Sequence, residues 1–192
     1  MDSTKFNSQT IKKDDCKFFV RKFTKFSDLM ELKNNIVCEI SKLANVIWRE
    51  HYTPIIGTEQ VEYMLEKFQS EEKVYSDIVN DNYTYFTAEC TEHKKMVGYC
   101  AVTPKEDYIL LSKIYIHKDY RGKGIAHKFL HEVYTLCKKK YGFNKIRLTV
   151  NKYNTNAIAA YHKIGFSTID SVKVDIGDGF FMDDYIMEKE II

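Results

Sequence analysis

Apolar positions along the chain change their spacing near Tyr83, and each regime predicts its own kind of element. Phe18-Phe19-Val20 and Phe23 read as a first strand. Leu29, Leu32, Ile36, Ile40, Leu43 and Ile47 then keep helical spacing, so one long helix is expected, capped by Asp28, carrying Trp48 and Tyr52 at its end and stopped by Pro54 and Gly57. Thr58 opens a second helix through Val61, Leu65 and Phe68. From Tyr83 the period falls to two: Tyr83–Cys90 and Met96–Val102 predict a hairpin about the polar turn Glu92-His93-Lys94-Lys95, and Tyr108–Ile116 a third strand. Gly124–Tyr141 returns to helix, with Ile125, Phe129, Val133 and Leu136 on one face, and Lys138, Lys139 and Lys140 where they favour the negative end of the dipole. Gly142 caps it, followed by a strand at Ile146–Val150, a helix at Thr155–Lys163 and a final strand pair, Ser167–Ile176 and Phe181–Glu188. This order predicts an α+β or mixed-sheet sandwich, helices on both faces, in one domain over residues 16–192 behind a polar, flexible tail at 1–15.

Composition narrows the function classes. The 192 residues are 44% apolar and 29% charged with only 8 Gly and 2 Pro, which excludes collagen-like and low-complexity chains. No apolar run approaches the roughly 20 residues that span a bilayer, and the first residues lack the apolar stretch of a signal peptide, so a cytoplasmic protein without membrane contact is expected. Five cysteines with no C-x-x-C spacing read as reduced thiols in the core, neither a disulfide frame nor a metal site. Charge is uneven: residues 113–147 hold ten Lys or Arg against two acids, and residues 168–192 hold seven acids against two Lys. A basic centre and an acidic end together fit one anionic and one cationic ligand, and on charge alone fit ordinary solvated surface equally well.

The basic segment contains the informative chemistry. A strand ending at Ile114-Tyr115-Ile116 feeds Arg121-Gly122-Lys123-Gly124-Ile125-Ala126, which opens directly into a helix. Glycine without a Cβ lets backbone approach a ligand, and a helix N-terminus presents unpaired N–H groups, so a pyrophosphate is the natural guest. Taken alone, two glycines one residue apart are a weak signal and better describe a tight structural turn. A Walker loop does not fit, because Gly124 is followed by Ile125 rather than Lys-Ser/Thr, and the dinucleotide fingerprint fails at His127. About thirty residues on comes Leu148-Thr149-Val150-Asn151, then Asn154, Ala157, Tyr161 and Gly165-Phe166.

The two segments together resemble the GNAT superfamily of acyl-CoA-dependent N-acetyltransferases. Arg121 to Ala126 is similar to its R-x-x-G-x-G/A loop, and Leu148 to Phe166 to its L-x-V-x-x-x-N-x-x-A-x-x-x-Y-x-x-x-G-F segment. A finer resemblance, to the PaiA-type branch associated with spermidine and spermine N-acetylation, rests on Trp48 to Gly57, Gln60, Tyr63-Met64-Leu65, and the tail from Asp175 to Glu188. The resemblance implies a twisted, mostly antiparallel sheet and acetyl-CoA as cosubstrate. It implies that backbone groups at Ile114, Tyr115 and Ile116 meet the acetyl and pantetheine groups, whatever their side chains. Arg121, Gly122, Lys123, Gly124, Ile125 and Ala126 would hold the pyrophosphate, and Asn154 pantetheine or the adjacent helix. Tyr161 would be the general acid, also touching the cosubstrate.

An alkylamine acceptor is only about one part in two thousand neutral at neutral pH, so it must lose a proton on the enzyme. The base is open among Glu89, Asp107, His51 and Asp184. The resemblance places the acceptor near Trp48, Glu50, His51, Asp183 and Asp184, where carboxylates on the final hairpin and early helices would attract a polyamine. They serve equally well as charged protection of an exposed strand. Alternative acceptors are a protein N-terminus, a lysine or an aminoglycoside-like amine; a CoA-binding regulatory module is the rival from another class. Nucleic-acid binding is not expected, since no reader motif accompanies the basic segment. Monomer and homodimer stay open.

Overall fold

The computed structural model describes residues 16–191, so the expected tail at 1–15 lies outside it. Among the described residues seven segments are strands: β1 (Phe18–Phe23), β2 (Thr84–Cys90), β3 (Lys95–Pro104), β4 (Ile109–Ile116), β5 (Lys145–Asn151), β6 (Ser167–Gly177) and β7 (Phe180–Glu190). They form one sheet in the order β1-β2-β3-β4-β5-β7-β6, in which only β4 and β5 pair in parallel. The helices are α1 (Leu29–Glu31), α2 (Val37–Ile56), α3 (Thr58–Gln69), α4 (Glu71–Val79), α5 (Ile125–Leu136) and α6 (Thr155–Lys163). A π-helical turn at Leu32–Ile36 joins α1 to α2, and another at Cys137–Tyr141 extends α5.

Alternation along the strands divides the core between the two faces. Val97 and Val102 of β3 pack with Ile125, Phe129 and Val133 of α5, and α6 covers the same face through Ala157, Ile158 and Tyr161. Met96, Tyr99 and Ala101 of β3 meet Ile40, Ile47 and Trp48 of α2, with Val61 and Leu65 of α3 and Val74 and Ile78 of α4. Each such side chain, fully buried, contributes about 1.5–3 kcal/mol by removing apolar area from water. β3 is buried along almost its whole length because both faces are covered, whereas the edge strand β6 is mostly exposed.

Two features of β4 shape the site. Ala101 pairs with Lys113 and Val102 with Leu111, so Ser112 is an extra residue, a β-bulge. The bulge shifts the strand's phase: Ile109 and Leu111 face the α5 side, and after Ser112 that side is taken by Ile114 and Ile116. Beyond the bulge β4 also parts from β5. The two pair only at Ile109↔Ile146 and Leu110↔Arg147, and the ends of both strands then diverge.

The structure amends the expected helices at two places. Pro54 does not stop α2; the helix runs through it to Ile56. Proline removes only its own N–H bond, and the last turn is held by Gly57 N–H donating to the Thr53 carbonyl at 3.0 Å. Gly57, at φ +81°, is the stop. The second is α4, which the apolar spacing did not predict. The Ser70 hydroxyl caps it by accepting from Lys73 N–H at 3.3 Å, and it buries Val74 and Ile78. Its Asp77 accepts from the buried Lys113 ammonium of β4 at 2.9 Å and from the Tyr85 hydroxyl at 2.6 Å. A cation on a core-facing strand position thus has its partner on a helix, which offsets part of the cost of burying the two charges.

Candidate functional site

Where β4 and β5 diverge, a cavity of about 370 Å³ opens between the strand ends, α2, α3 and α6. Its lining joins residues far apart in the chain: Trp48, His51 and Tyr52 from α2, Ile114 to Ile116 from β4, Asn154 and Tyr161 by α6, and Asp184 from β7. The edge of β4 that turns away from β5 faces this space, so its backbone polar groups beyond Leu110 have no partner from β5. Arg121 lines the cavity as well and donates from Nε to the Ile116 carbonyl at 3.0 Å, which pins the loop to the strand.

Gly122 and Gly124 adopt φ +75° and +79°, where any other residue is strained, and a Cβ built on either meets no atom within 4 Å. No side chain caps α5 at Gly124, and the first helical bond is Lys128 N–H to the Gly124 carbonyl at 3.1 Å. The N–H groups of Ile125, Ala126 and His127 therefore precede the hydrogen-bonded ladder, at the positive end of the dipole and next to Arg121 and Lys123. That arrangement suits an anion with room to approach the backbone. Ala126 also lines the cavity, whereas Ile125 is buried in the core and anchors the helix.

The second half of the cavity is aromatic. Tyr115 stands between Trp48, Tyr52 and Tyr99, with ring centroids 5.5, 6.4 and 5.3 Å away. The expectation that side-chain identity at Ile114, Tyr115 and Ile116 matters little is therefore corrected for Tyr115, whose ring builds the wall. Trp48 is buried, and its indole N–H faces the Tyr99 hydroxyl without reaching hydrogen-bond geometry. Burial pushes the hydroxyls of Tyr52, Tyr115 and Tyr161 up, so all three keep their protons at neutral pH. Tyr161 packs its ring edge against Phe166 at 5.8 Å.

Two groups in the cavity can take a proton. Asp184 is 8% exposed, and burial raises its carboxyl to about 6 against a hydrogen bond from Thr149. His51 is held below its ordinary value by burial and by Arg121, so its imidazole is neutral. Its Nε2 lies 3.3 Å from Asn154 Oδ1, which also accepts from Ala157 N–H at 3.4 Å. Asn154 therefore acts as the N-cap of α6 and orients His51, leaving Nδ1 as the free acceptor. Glu89 and Asp107, the other candidate bases, do not line the cavity.

Other expected site residues fall outside the cavity. Gly122, Lys123 and Gly124 lie in the loop beside it, and Glu50 and Asp183 face away: Glu50 pairs with Lys118, and Asp183 with Lys152 at 2.5 Å. Glu62 is taken by Arg49. The final hairpin does border the early helices as expected, with Gln60 Nε2 donating to the Phe181 carbonyl at 2.7 Å. Of its carboxylates only Asp184 enters the cavity. Gln60, Met64 and Met182 complete that wall; the sequence marked them only through the finer resemblance and assigned none of them a place in the site.

The Acetyltransferase (GNAT) family model matches residues 42–166, a span that runs from α2 through Phe166 and includes the loop and Tyr161. An uncharacterized N-acetyltransferase of Mycobacterium bovis is 29% identical over 99 residues, covering 51% of this chain and 62% of the relative's own length. The chain thus spans under two thirds of that relative. Among solved structures, a PaiA N-acetyltransferase from Thermoplasma acidophilum in complex with coenzyme A superposes with a TM-score of 0.72 at 24% identity, covering 91% of this chain and 99% of that one. A chimera of spermidine N-acetyltransferase SpeG from Vibrio cholerae gives 0.57 at 17% identity, with coverage of 90% and 95%. At these identities both likenesses concern the fold. No helix among the described residues is long and apolar enough to cross a membrane.

Proposed function

The chain belongs to the GNAT acetyltransferase family, and on that premise we propose that it is a cytoplasmic enzyme moving the acetyl group of acetyl-CoA to a primary amine of the polyamine class. The observation that carries the reading is that one cavity joins the unpaired edge of β4, the half-buried Tyr161 and a single buried carboxylate. Acetyl-CoA, when bound, supplies an activated acyl carbon and a thiolate leaving group. The backbone groups of Gly122 to Ala126, with Arg121 and Lys123, hold its pyrophosphate, and N–H groups on the free edge of β4 polarise the carbonyl and hold the developing oxyanion.

Asp184, raised to about 6 and mostly ionised at neutral pH, accepts the ammonium proton of the acceptor. The aromatic wall around it lowers the dielectric and weakens the amine's hold on that proton, which narrows the gap between a base near 6 and an alkylamine near 10.4. His51 is the second acceptor within the same cavity. Tyr161 retains its proton and donates to the departing sulfur. Direct transfer needs no acyl-enzyme, and Cys100, buried with its thiol pushed up, offers no thiolate for one.

Support for a polyamine comes from Asp184 sharing one cavity with Trp48, Tyr52 and Tyr115, which suits a cation on a flexible aliphatic chain, and from the spermidine N-acetyltransferase among the fold neighbours. One observation favours a second acceptor: Glu50, Glu62 and Asp183 are already neutralised, so the cavity presents one carboxylate among aromatic, apolar and uncharged polar side chains on its acceptor side. A monoamine on an apolar stem, or a peptide amine, fits that arrangement. The test is to incubate the purified protein with acetyl-CoA and a panel of spermidine, spermine, monoamines, aminoglycosides and peptides, and to weigh the products. One acetyl group gained on spermidine or spermine above the rest supports the polyamine. Preference for an apolar monoamine or a peptide discards it, and acetyl-CoA binding without any product sinks the enzyme reading.

A further inference from the structure

Away from the cavity, the pairing of β1 with β2 brings together residues that the sequence keeps apart. Cys16, just before β1, and Cys90, at the end of β2, meet His93 of the following turn; their sulfur and imidazole ligand atoms all lie within 4.8 Å of one another. None of these groups lines the acetyl-transfer cavity. Backbone bonds hold the frame in place. Lys17 carbonyl accepts from Thr91 N–H at 3.0 Å and from the Thr91 hydroxyl at 3.2 Å, and Lys17 N–H donates to Glu92 Oε2 at 2.8 Å. The last residues before β1 are thereby fixed against the turn that carries His93.

We propose that Cys16, Cys90 and His93 bind a single zinc ion that clamps the start of β1 to the β2–β3 turn. Two thiolates and an imidazole are the borderline-soft donors zinc selects, in its usual tetrahedral geometry. Metal–ligand distances of about 2.3 Å to sulfur and 2.0–2.1 Å to nitrogen place tetrahedral ligands some 3.5–3.8 Å apart. The cluster reaches that spacing by contracting about 1 Å at its widest. Cys90 and His93 share one short turn, Cys-x-x-His, and Cys16 arrives from the neighbouring strand. Water fills the fourth position. Glu92 Oε2, 3.5 Å from the Cys90 sulfur, accepts its thiol hydrogen; on metal binding the two thiols release their two protons to solvent water.

Two thiolates side by side are unfavourable until a divalent ion neutralises them. The proposal departs from the sequence expectation of thiols without a metal site at Cys16 and Cys90. Spacing could not reveal it, because one ligand comes from another strand.

The test uses the full chain, reduced and stripped of metal, titrated with cobalt(II) as a spectroscopic probe and with zinc as competitor. Expected is a thiolate-to-cobalt charge-transfer band saturating at one ion per chain and bleached by zinc. The band should be lost in Cys16→Ser and again in His93→Ala, and kept in Cys38→Ser. Zinc should also raise the thermal midpoint of the parent protein but not of His93→Ala, whose surface turn spares the core. No band in the folded, reduced parent overturns the proposal. So does a band that survives in His93→Ala and Cys16→Ser, or one lost equally in Cys38→Ser. Acetyl transfer is measured in parallel and is expected to be unchanged in His93→Ala, so failure of the metal site and failure of the enzyme reading remain distinguishable.

Discussion

The two halves of the cavity are built by different means. On one side, β4 beyond its bulge, the loop from Arg121 and the start of α5 present backbone: an unpaired strand edge, two glycines at positive φ and an uncapped helix N-terminus. On the other, α2, α3 and β7 present side chains: Trp48, His51 and Tyr52 from α2, Gln60 and Met64 from α3, Met182 and Asp184 from β7. Backbone recognition tolerates change of side chain and serves a cosubstrate shared by a whole family. Side-chain recognition is set by residue identity, and that is where the acceptor is chosen. The difference also separates what substitutions should do on each side.

The largest effect is expected at the loop. Gly124→Trp puts a side chain where no protein atom stands within 4 Å of a Cβ, so acetyl-CoA binding should be lost in calorimetry. The strain of positive φ costs the fold only about 1–2 kcal/mol, so the variant should stay folded by circular dichroism. Normal acetyl-CoA affinity would dissolve the backbone half of the comparison. Next comes Asp184→Asn, expected to lower turnover by roughly 10²–10⁴-fold, the range of general-base catalysis. Its stability should move the other way. Because the folded state raises this carboxyl from 3.8 to about 6, it binds the proton more tightly than the unfolded chain. Stability from Asp184 is full below the unfolded value and is lost as pH rises through about 6. Asp184→Asn should therefore be more stable than the parent by up to ~3 kcal/mol at neutral pH, and little changed near pH 4, by urea unfolding.

Tyr161→Phe should lower turnover by roughly 10²-fold while acetyl-CoA affinity stays nearly intact, because the ring still packs on Phe166 and only the proton donor is gone. Unchanged turnover would remove Tyr161 from the acid role. The smallest effect belongs to Ile116→Val, expected to leave turnover within about twofold, because β4 is used through its backbone and Ile→Val removes only one methylene from a partly buried position. Tyr115→Leu, one residue away, should cost more, since its ring forms the aromatic wall.

The backbone half was the more legible in sequence, because its signals are local. Glycines at Gly122 and Gly124 and the helical spacing of Ile125 to Leu136 each declare themselves within a few residues. Even the β4 bulge has a trace, the slip from Ile109 and Leu111 to Ile114 and Ile116 on one face. The acceptor half depends on contacts between segments well over a hundred residues apart, such as Gln60 to Phe181. There the acidic residues could be counted but not sorted: Asp184 is buried in the cavity, while its neighbour Asp183 points to Lys152, a consequence of alternation and register. Pro54 misled because a proline in a last turn removes one bond, not the helix. α4 was missed because it buries only Val74 and Ile78 as apolar anchors and draws on the ion pair of Asp77 with Lys113.

The most direct measurement is the pH dependence of kcat/KM for acetyl transfer by the parent protein and by Asp184→Asn, on the best amine of the panel. The account predicts an acidic limb near 6 in the parent, absent in Asp184→Asn, whose residual rate is low and flat through that range. An Asp184→Asn variant as active as the parent, with the same limb, would contradict it.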